Sequence, residues 1–193
     1  QRVSVSGSGN VAQYAIEKAM EFGAKVVTAS DSSGTVIDED GFKAEKLAIL
    51  MDVKNRQYGR ICDYAARVGA RFEAGVSPWH VPVTVALPCA TQNEIKQSDA
   101  ETLVANGVMC VAEGANMPSA AEAVKVFTSK GILFAPGKAS NAGGVATSGL
   151  EMSQNAMRMS WPRTEVDSRL LEIMQGIHRS CIQFGKRPDG SIN

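Results

Sequence analysis

An α/β fold with a mostly parallel, helix-covered sheet is predicted by three observations in the 193-residue sequence. Apolar runs of four or five residues alternate with helix-period segments, the first run leads straight into a glycine-rich turn and a helical pattern, and an acidic residue closes the second run. Short, almost wholly apolar strands separated by helices belong to parallel sheets buried on both faces. Together these define a Rossmann-like, doubly wound domain with flanking helices over residues 1–193. The length suits one domain, and 44% apolar content is enough to bury a full core.

Residues 2–6 read as the first strand and 11–22 as the first helix. Residues 25–29 form the second strand, and 31–41 a turn-rich excursion in which Thr35-Val36-Ile37 suits a small ribbon. Leu47, Ile49, Leu50 and Val53 place a helix over 43–54, and after a break at Gly59 a second covers 61–68. A short strand is expected at 71–73, after which Pro78, Trp79 and Pro82 interrupt the chain before the apolar run 83–87. Then come a helix over 98–106, a strand at 108–112, a helix over 120–129 and a strand at 132–134. Beyond Asn141 the pattern is helical to about Gly185, with Val166, Leu170, Ile173, Ile177, Cys181 and Phe184 at spacings of three and four making one packed face. A polar tail from Gly185 to Gly190 reads as a helix stop and a loop toward Asn193. With Gln1 set directly before the first strand, that tail suggests a piece of a longer polypeptide.

The most informative motif is Gly7-Ser8-Gly9-Asn10-Val11-Ala12, a G-x-G-x-x-A dinucleotide fingerprint between Ser6 and the first helix. The chain must turn tightly at Gly7, admit a pyrophosphate against bare backbone at Gly9, and pack helix on strand at Ala12. Unpaired N–H groups and the positive dipole end of the helix then face the phosphates. Asp31 stands 24 residues after Gly7, near the ~20-residue offset of a carboxylate that accepts from a ribose hydroxyl.

Ligands of open parallel sheets lie beyond the carboxyl ends of the strands, where strand order reverses. That rule selects the loops at 7–10, 31–34, 88–93 and 113–118. Pro88-Cys89-Ala90-Thr91-Gln92-Asn93 and Glu113-Gly114-Ala115-Asn116-Met117-Pro118 combine small residues with amides able to pair a carboxamide such as nicotinamide. Capping of the next helix by Thr91 and Asn93 is the competing reading. The glycine-rich stretch 137–149 opens a helix and offers Asn141, Thr147 and Ser148 as neutral donors to an anionic substrate, or simply a permissive junction.

Twenty basic residues balance twenty acidic ones, which removes any global field for nucleic acid or a membrane surface. No apolar stretch approaches a membrane span. Cys62, Cys89, Cys110 and Cys181 are widely spaced, without C-x-x-C pairs and with just His80 and His178 beside them. Reduced thiols in a cytoplasmic protein and no metal site are expected. Cys89 lacks a neighbouring base and reads as structural, and the two histidines as packed or solvated.

The residues 6–12, 29–34, 87–94, 112–118 and 141–151 closely resemble the nucleotide-binding, C-terminal domain of the hexameric glutamate dehydrogenases, above all the NADP-preferring bacterial type, within the wider Glu/Leu/Phe/Val dehydrogenase superfamily. The resemblance runs through nearly the whole chain. It implies reversible oxidative deamination of L-glutamate to 2-oxoglutarate and ammonium, with hydride passing to or from nicotinamide C4. It also implies that Ser6, Gly7, Gly9, Asn10 and Val11 hold the pyrophosphate and adjacent ribose, that Ala90, Thr91, Gln92 and Asn116 line the nicotinamide side, and that Asn141 sits near the nicotinamide ribose. Val145 and Ser148 would help hold the glutamate side-chain carboxylate.

The resemblance implies that the catalytic lysine and aspartate, and the lysines gripping the substrate, belong to an N-terminal domain expected to lie outside this chain, as is the C-terminal return segment, so no catalytic residue is expected here and little turnover. The parent would be a homohexamer. A carboxylate at Asp31 ordinarily favours NAD, but Ser32, Lys54 and Arg60 supply hydroxyl and charge for a 2′-phosphate, and the resembling enzymes carry basic residues at the latter two positions. NADP is therefore expected, with NAD the alternative. Other readings are a relative acting on branched-chain or aromatic amino acids, and a non-catalytic NAD(P)-sensing module.

Overall fold

The computed structural model describes residues 1–190 and 192; the expected course of the chain at Asn193 lies outside the described residues. The main sheet is five-stranded and wholly parallel, in the order β2 (Lys25–Val26), β1 (Arg2–Val5), β6 (Val85–Leu87), β7 (Cys110–Ala112), β8 (Leu133–Ala135). Sequence order reverses between β1 and β6, where Val5 pairs with Leu87. The loops leaving these two strands therefore open onto the switch point, where such sheets leave a crevice.

Strand alternation divides the core. Val3 and Val5 join Val85 and Leu87 on the face covered by α1 (Asn10–Glu21), α2 (Ala44–Met51) and α3 (Ile61–Val68), with Ala12, Ile16, Leu50 and Tyr64 buried among them. Ala86 and Val111 meet α4 (Gln97–Ala105) and α5 (Ala121–Ser129) on the other face, around Leu103, Phe127 and Trp79. Both faces are sealed, which explains why the strands read as continuous apolar runs.

The expected second strand at 25–29 is divided in the structure. Two residues stay in the main sheet as β2, and the chain then enters a separate three-stranded antiparallel sheet as β3 (Thr28–Asp31), followed by β4 (Gly34–Ile37) and β5 (Arg71–Ala74). Side chains make the departure possible. The Thr28 hydroxyl accepts the Val5 N–H at 2.9 Å and donates to the Val5 carbonyl at 3.0 Å, standing in for a lost ladder partner. One pleat further on, the Ser30 Oγ accepts the Gly7 N–H at 2.9 Å while the Ser30 N–H donates to the Gly7 carbonyl at 3.0 Å.

Two further expectations need correction. The helix predicted over 43–54 ends at Met51 and continues as a π-helical segment, Asp52–Arg56. The C-terminal helical region is split into α6 (Gly137–Ser140), α7 (Gly143–Met157) and α8 (Arg163–Gly185). The periodic face of α8 exists but is not packed, for none of its residues is buried and Phe184 is 83% exposed. The reason is geometric: α8 packs chiefly on α7 and α6, not on the sheet.

Thr28→Val is expected to strand the N–H and carbonyl of Val5 in a buried position and to destabilise the fold by about 1–3 kcal/mol. Urea unfolding checks it, with Thr28→Ser, which keeps the hydroxyl, expected to stay near the wild type.

Candidate functional site

The loops leaving β1 and β6, with Ser30 to Ser32 and residues 75–79, enclose a cleft of about 690 Å³. Its floor is the glycine turn. Gly7 has φ +84°, and a Cβ there would lie 2.9 Å from the carbonyl oxygen of Cys89, so backbone meets backbone. Gly9 differs, since a Cβ there would meet nothing within 4 Å. It sits at the N-terminus of α1, where no side-chain cap and no first-turn acid is found among the described residues. Those N–H groups therefore face the cleft with their partial positive charge unanswered. Ala12 is fully buried against the sheet, as the fingerprint requires.

The π-helical segment docks onto this turn. The side chains of Asn55 and Gln13 exchange two hydrogen bonds of 3.0 Å, and the Gln13 amide also donates to the Ser8 carbonyl at 2.8 Å. The same segment carries Lys54 to one end of the cleft, where its Nζ donates to Asp31 Oδ2 at 3.2 Å and to the Gly59 carbonyl at 2.9 Å. Asp31 lines the cleft, yet both oxygens are engaged: Oδ1 accepts the N–H and hydroxyl of Ser33, and Oδ2 accepts from Lys54 and from the Ile61 N–H at 2.9 Å. Burial pushes its carboxyl upward, but the bonds from Ser33, Ile61 and Lys54 outweigh burial and hold it below the ordinary value. The expected acceptor for a ribose hydroxyl is thus occupied internally. Arg60, exposed at the same end, donates to the Ser32 hydroxyl at 2.8 Å.

The opposite wall comes from Cys89, Ala90, Thr91 and Glu94. Cys89 is buried, and desolvation, reinforced by the nearby Glu94 charge, pushes its thiol up to about 12, which suits a structural side chain and not a nucleophile. Thr91 and Asn93 do not cap a helix; α4 begins at Gln97, where Asp99 accepts the Lys96 N–H, and the N–H groups of Ala90 and Thr91 go to Glu94. The turn is laced to the next loop, with Pro88 accepting the N–H groups of Gly114 and Ala115 at 2.9 Å and Asn93 donating to Met117 at 3.0 Å.

Beyond that wall, Asn141 donates to the Asn116 side chain at 2.9 Å and to the Ala115 carbonyl at 3.0 Å. Glu113 holds this pair in place, its buried carboxylate accepting the Gly137 N–H at 2.7 Å and the Ser119 N–H at 3.2 Å. Val145 and Ser148 stand exposed on α7. The hydroxyl protons of Thr147 and Ser148 turn inward, to the carbonyls of Gly143 and Gly144.

The structure thus gathers Gly7, Gly9, Asn10, Val11, Asp31, Lys54, Ala90 and Thr91 around one cleft. Ser32 belongs to it, with Arg60 beside it through their hydrogen bond. Asn116, Asn141, Val145, Ser148 and the exposed Gln92 lie outside the cavity wall. Ser6 is fully buried and reaches the cleft through its partners alone, its oxygen accepting the Cys89 N–H at 2.9 Å. Sequence reasoning missed Glu94, Glu113 and the wall at residues 75–79. Glu94 had a signal, the T-x-x-E spacing from Thr91 that marks a reciprocal cap; the other two become visible only when distant loops meet.

Comparison with known proteins bears on this cleft. The family model for Glutamate/Leucine/Phenylalanine/Valine dehydrogenase matches residues 1–192. The chain is 63% identical over 184 residues to an NADP-specific glutamate dehydrogenase of Salmonella typhimurium, covering 95% of this chain and 41% of that protein. It is 57% identical over 191 residues to an NAD(P)-specific glutamate dehydrogenase of Xylanibacter ruminicola, covering 99% and 43%. Among solved structures, a Plasmodium falciparum glutamate dehydrogenase superposes with a TM-score of 0.92 at 46% identity, over 96% of this chain and 40% of that one. The chain therefore spans about two fifths of the length of these relatives.

A carboxyl whose folded value lies below its unfolded one stabilises the fold while ionised, and Asp31 is of this kind. Its contribution is complete above the ordinary carboxyl range and is lost as pH falls through the lowered folded value. Urea midpoints measured from pH 6 downward should show the margin of wild type over Asp31→Asn shrinking with acid; a margin independent of pH would exclude this role.

Proposed function

The chain belongs to the Glutamate/Leucine/Phenylalanine/Valine dehydrogenase family, and from that premise we propose that it is the coenzyme-binding, C-terminal domain of a glutamate dehydrogenase, taking NADP(H) in the cleft over the glycine turn. The observation that carries this reading is Gly9. Its missing Cβ leaves open space in front of uncapped helical N–H groups, a geometry with no use in packing the chain and a direct one in seating a diphosphate.

The choice of NADP rests on the charged end of the cleft and on the relatives. Asp31 is bonded to Lys54 and to two main-chain N–H groups, so its charge is answered within the protein. With Arg60 and Ser32 beside it, this end suits a 2′-phosphate better than a bare hydroxyl. A relative at 63% identity is named NADP-specific and one at 57% NAD(P)-specific.

In the whole enzyme the reaction is reversible oxidative deamination of L-glutamate to 2-oxoglutarate and ammonium, the nicotinamide supplying a hydride acceptor or donor at C4. This chain's residues bind and orient. The Ala90–Thr91 turn, Gln92, and the bonded amides of Asn116 and Asn141 lie on the nicotinamide side, and Val145 and Ser148 face the substrate's side-chain carboxylate from α7. Proton transfer and the remaining substrate contacts are assigned to another part of a longer, hexamer-forming polypeptide. Two facts support that assignment: the share of the relatives covered, and the exposed apolar set Val145, Met152, Leu171 and Phe184 along α7 and α8. The chain alone is then a coenzyme binder with little or no turnover, because proximity to the second reactant is missing.

Calorimetric titration of the 193-residue chain with NADPH and NADH tests this reading. Binding is expected with a preference for NADPH that falls by about tenfold or more in Lys54→Ala, which also leaves Asp31 without its one cationic partner among the described residues, and by several-fold in Arg60→Ala. Absence of heat with either coenzyme would refute the site, and unchanged preference in both variants would refute the 2′-phosphate assignment.

A further inference from the structure

The cleft carries a carboxylate to which the coenzyme reading gives no part. Glu94 lines the cavity on the side of the turn after β6. Its Oε1 accepts the N–H of Ala90 at 3.0 Å and of Thr91 at 3.3 Å, and the nearby Ser6 hydroxyl favours its ionised form. Ser6 is fully buried, and its oxygen in turn accepts the Cys89 N–H. Ser6 thus ties the end of β1 to the turn after β6, and Glu94 braces that turn from within. The junction has no slack, because a Cβ on Gly7 would lie within 3.2 Å of the Ala90 Cα as well as against the Cys89 carbonyl. Movement of the 89–91 turn is movement of the glycine turn.

The charge on Glu94 acts in the other sense. A negative charge in the wall of a cleft that takes a diphosphate repels the ligand, and the low-dielectric surroundings strengthen the repulsion. Asp99, in the first turn of α4, adds to the same sign. The Cys89 thiol beside it is neutral, and Lys54, which lines the same cavity, is engaged by Asp31.

We propose that Glu94 is a positioning residue whose shape and charge work in opposite directions on coenzyme affinity, its oxygens fixing the Ala90–Thr91 turn and its charge loosening the hold on the diphosphate. This rests on the reading of the cleft as a coenzyme site. Burial raises the Glu94 carboxyl above the ordinary glutamate value, beyond what the bonds from Ser6, Ala90 and Thr91 restore, and Asp99 adds to the rise. Affinity therefore gains a contribution from protonation of Glu94 as pH falls through that raised value.

The test compares wild type, Glu94→Gln and Glu94→Ala by calorimetry with NADPH at pH 7.5 and 5.5, alongside hydrogen exchange of the Ala90 and Thr91 amides in the free proteins. Glu94→Gln keeps an acceptor oxygen and loses the charge, so it is expected to bind roughly three- to tenfold more tightly at pH 7.5, with both amides still protected. The advantage should shrink at pH 5.5, where the wild type is itself more protonated; the 2′-phosphate titrates alike in both proteins, so the ratio isolates Glu94. Glu94→Ala should lose protection at both amides and bind about tenfold more weakly. A merely structural role would weaken both variants and leave the ratio of Glu94→Gln to wild type independent of pH, and either result overturns the proposal. If Glu94→Ala does not fold, Glu94→Gln alone decides. A wild type that binds no NADPH overturns the coenzyme reading and the proposal with it, whereas a binding wild type with an equal or tighter grip than Glu94→Gln overturns the proposal alone.

Discussion

Backbone contact between the Gly7 turn and the Cys89 carbonyl is the constraint from which the rest of the cleft follows. Two loops that leave neighbouring parallel strands can approach this closely only if the first, at Gly7, carries no side chain at the crossing and if both are held from behind. The hold is provided by hydroxyls. Thr28 replaces the ladder partner of Val5, Ser30 pairs with Gly7, and Ser6 receives Cys89. Because side chains do this work, the main chain after Val26 is free to leave the parallel sheet and build the antiparallel β3–β4–β5 unit, whose first strand delivers Ser30 and Asp31 to the cleft. A main-chain ladder continued past Val26 would have kept Asp31 in the parallel sheet and away from Lys54.

Electrostatics at the far end of the cleft invert the usual meaning of the acid after the second strand. In a fingerprint of this kind the carboxylate faces outward and accepts from the ribose. Here it faces its own chain: it caps the N-terminus of α3 through the Ile61 N–H, closes a turn through Ser33, and neutralises Lys54. The π-helical segment makes this possible, since the extra residue in its turn brings Lys54 to Asp31 and, one position later, Asn55 to Gln13. One local irregularity therefore fixes both the charge at one end of the cleft and the start of the helix at the other.

What could be read from the sequence was what depends on neighbours along the chain. The fingerprint, the short apolar strands and the helices of period 3.6 report local pattern, and each stands within a few residues of its expected place. The split at Val27 was hidden because Lys25-Val26-Val27-Thr28-Ala29 is equally good as one strand, and nothing in it reveals that Thr28 will bond sideways to Val5. The π-helical segment left the helical periodicity intact through Val53, so the pattern gave no warning. On α8 the periodic stripe is real, but a stripe shows that a face is apolar, not that this chain supplies its cover. Glu113 was hidden for a different reason: a carboxylate whose main-chain partner, the Gly137 N–H, comes from a distant loop has no partner that a sequence can display, whereas Glu94 bonds within its own turn and was legible in its spacing from Thr91.

The two carboxylates show how such a site is kept open without collapsing. Uncapped N–H groups at α1 and small residues at the loop tips leave little in the cleft to hold its own walls apart. Rigidity has to come from buried acceptors behind the walls, and only a carboxylate has enough lone pairs to receive two N–H groups and a further donor at once. Glu113 does this for Gly137 and Ser119 from outside the cavity wall, and so presents no carboxylate at the cavity surface. Glu94 does it at the cavity surface, where the bonds that define the wall necessarily bring a charge with them. Both N–H groups go to the same oxygen, so an amide placed there would keep the bonds that define the wall and remove the charge alone. The shape of the cleft and its charge are therefore set by the same side chain, one through its acceptor oxygen and the other through its ionisation.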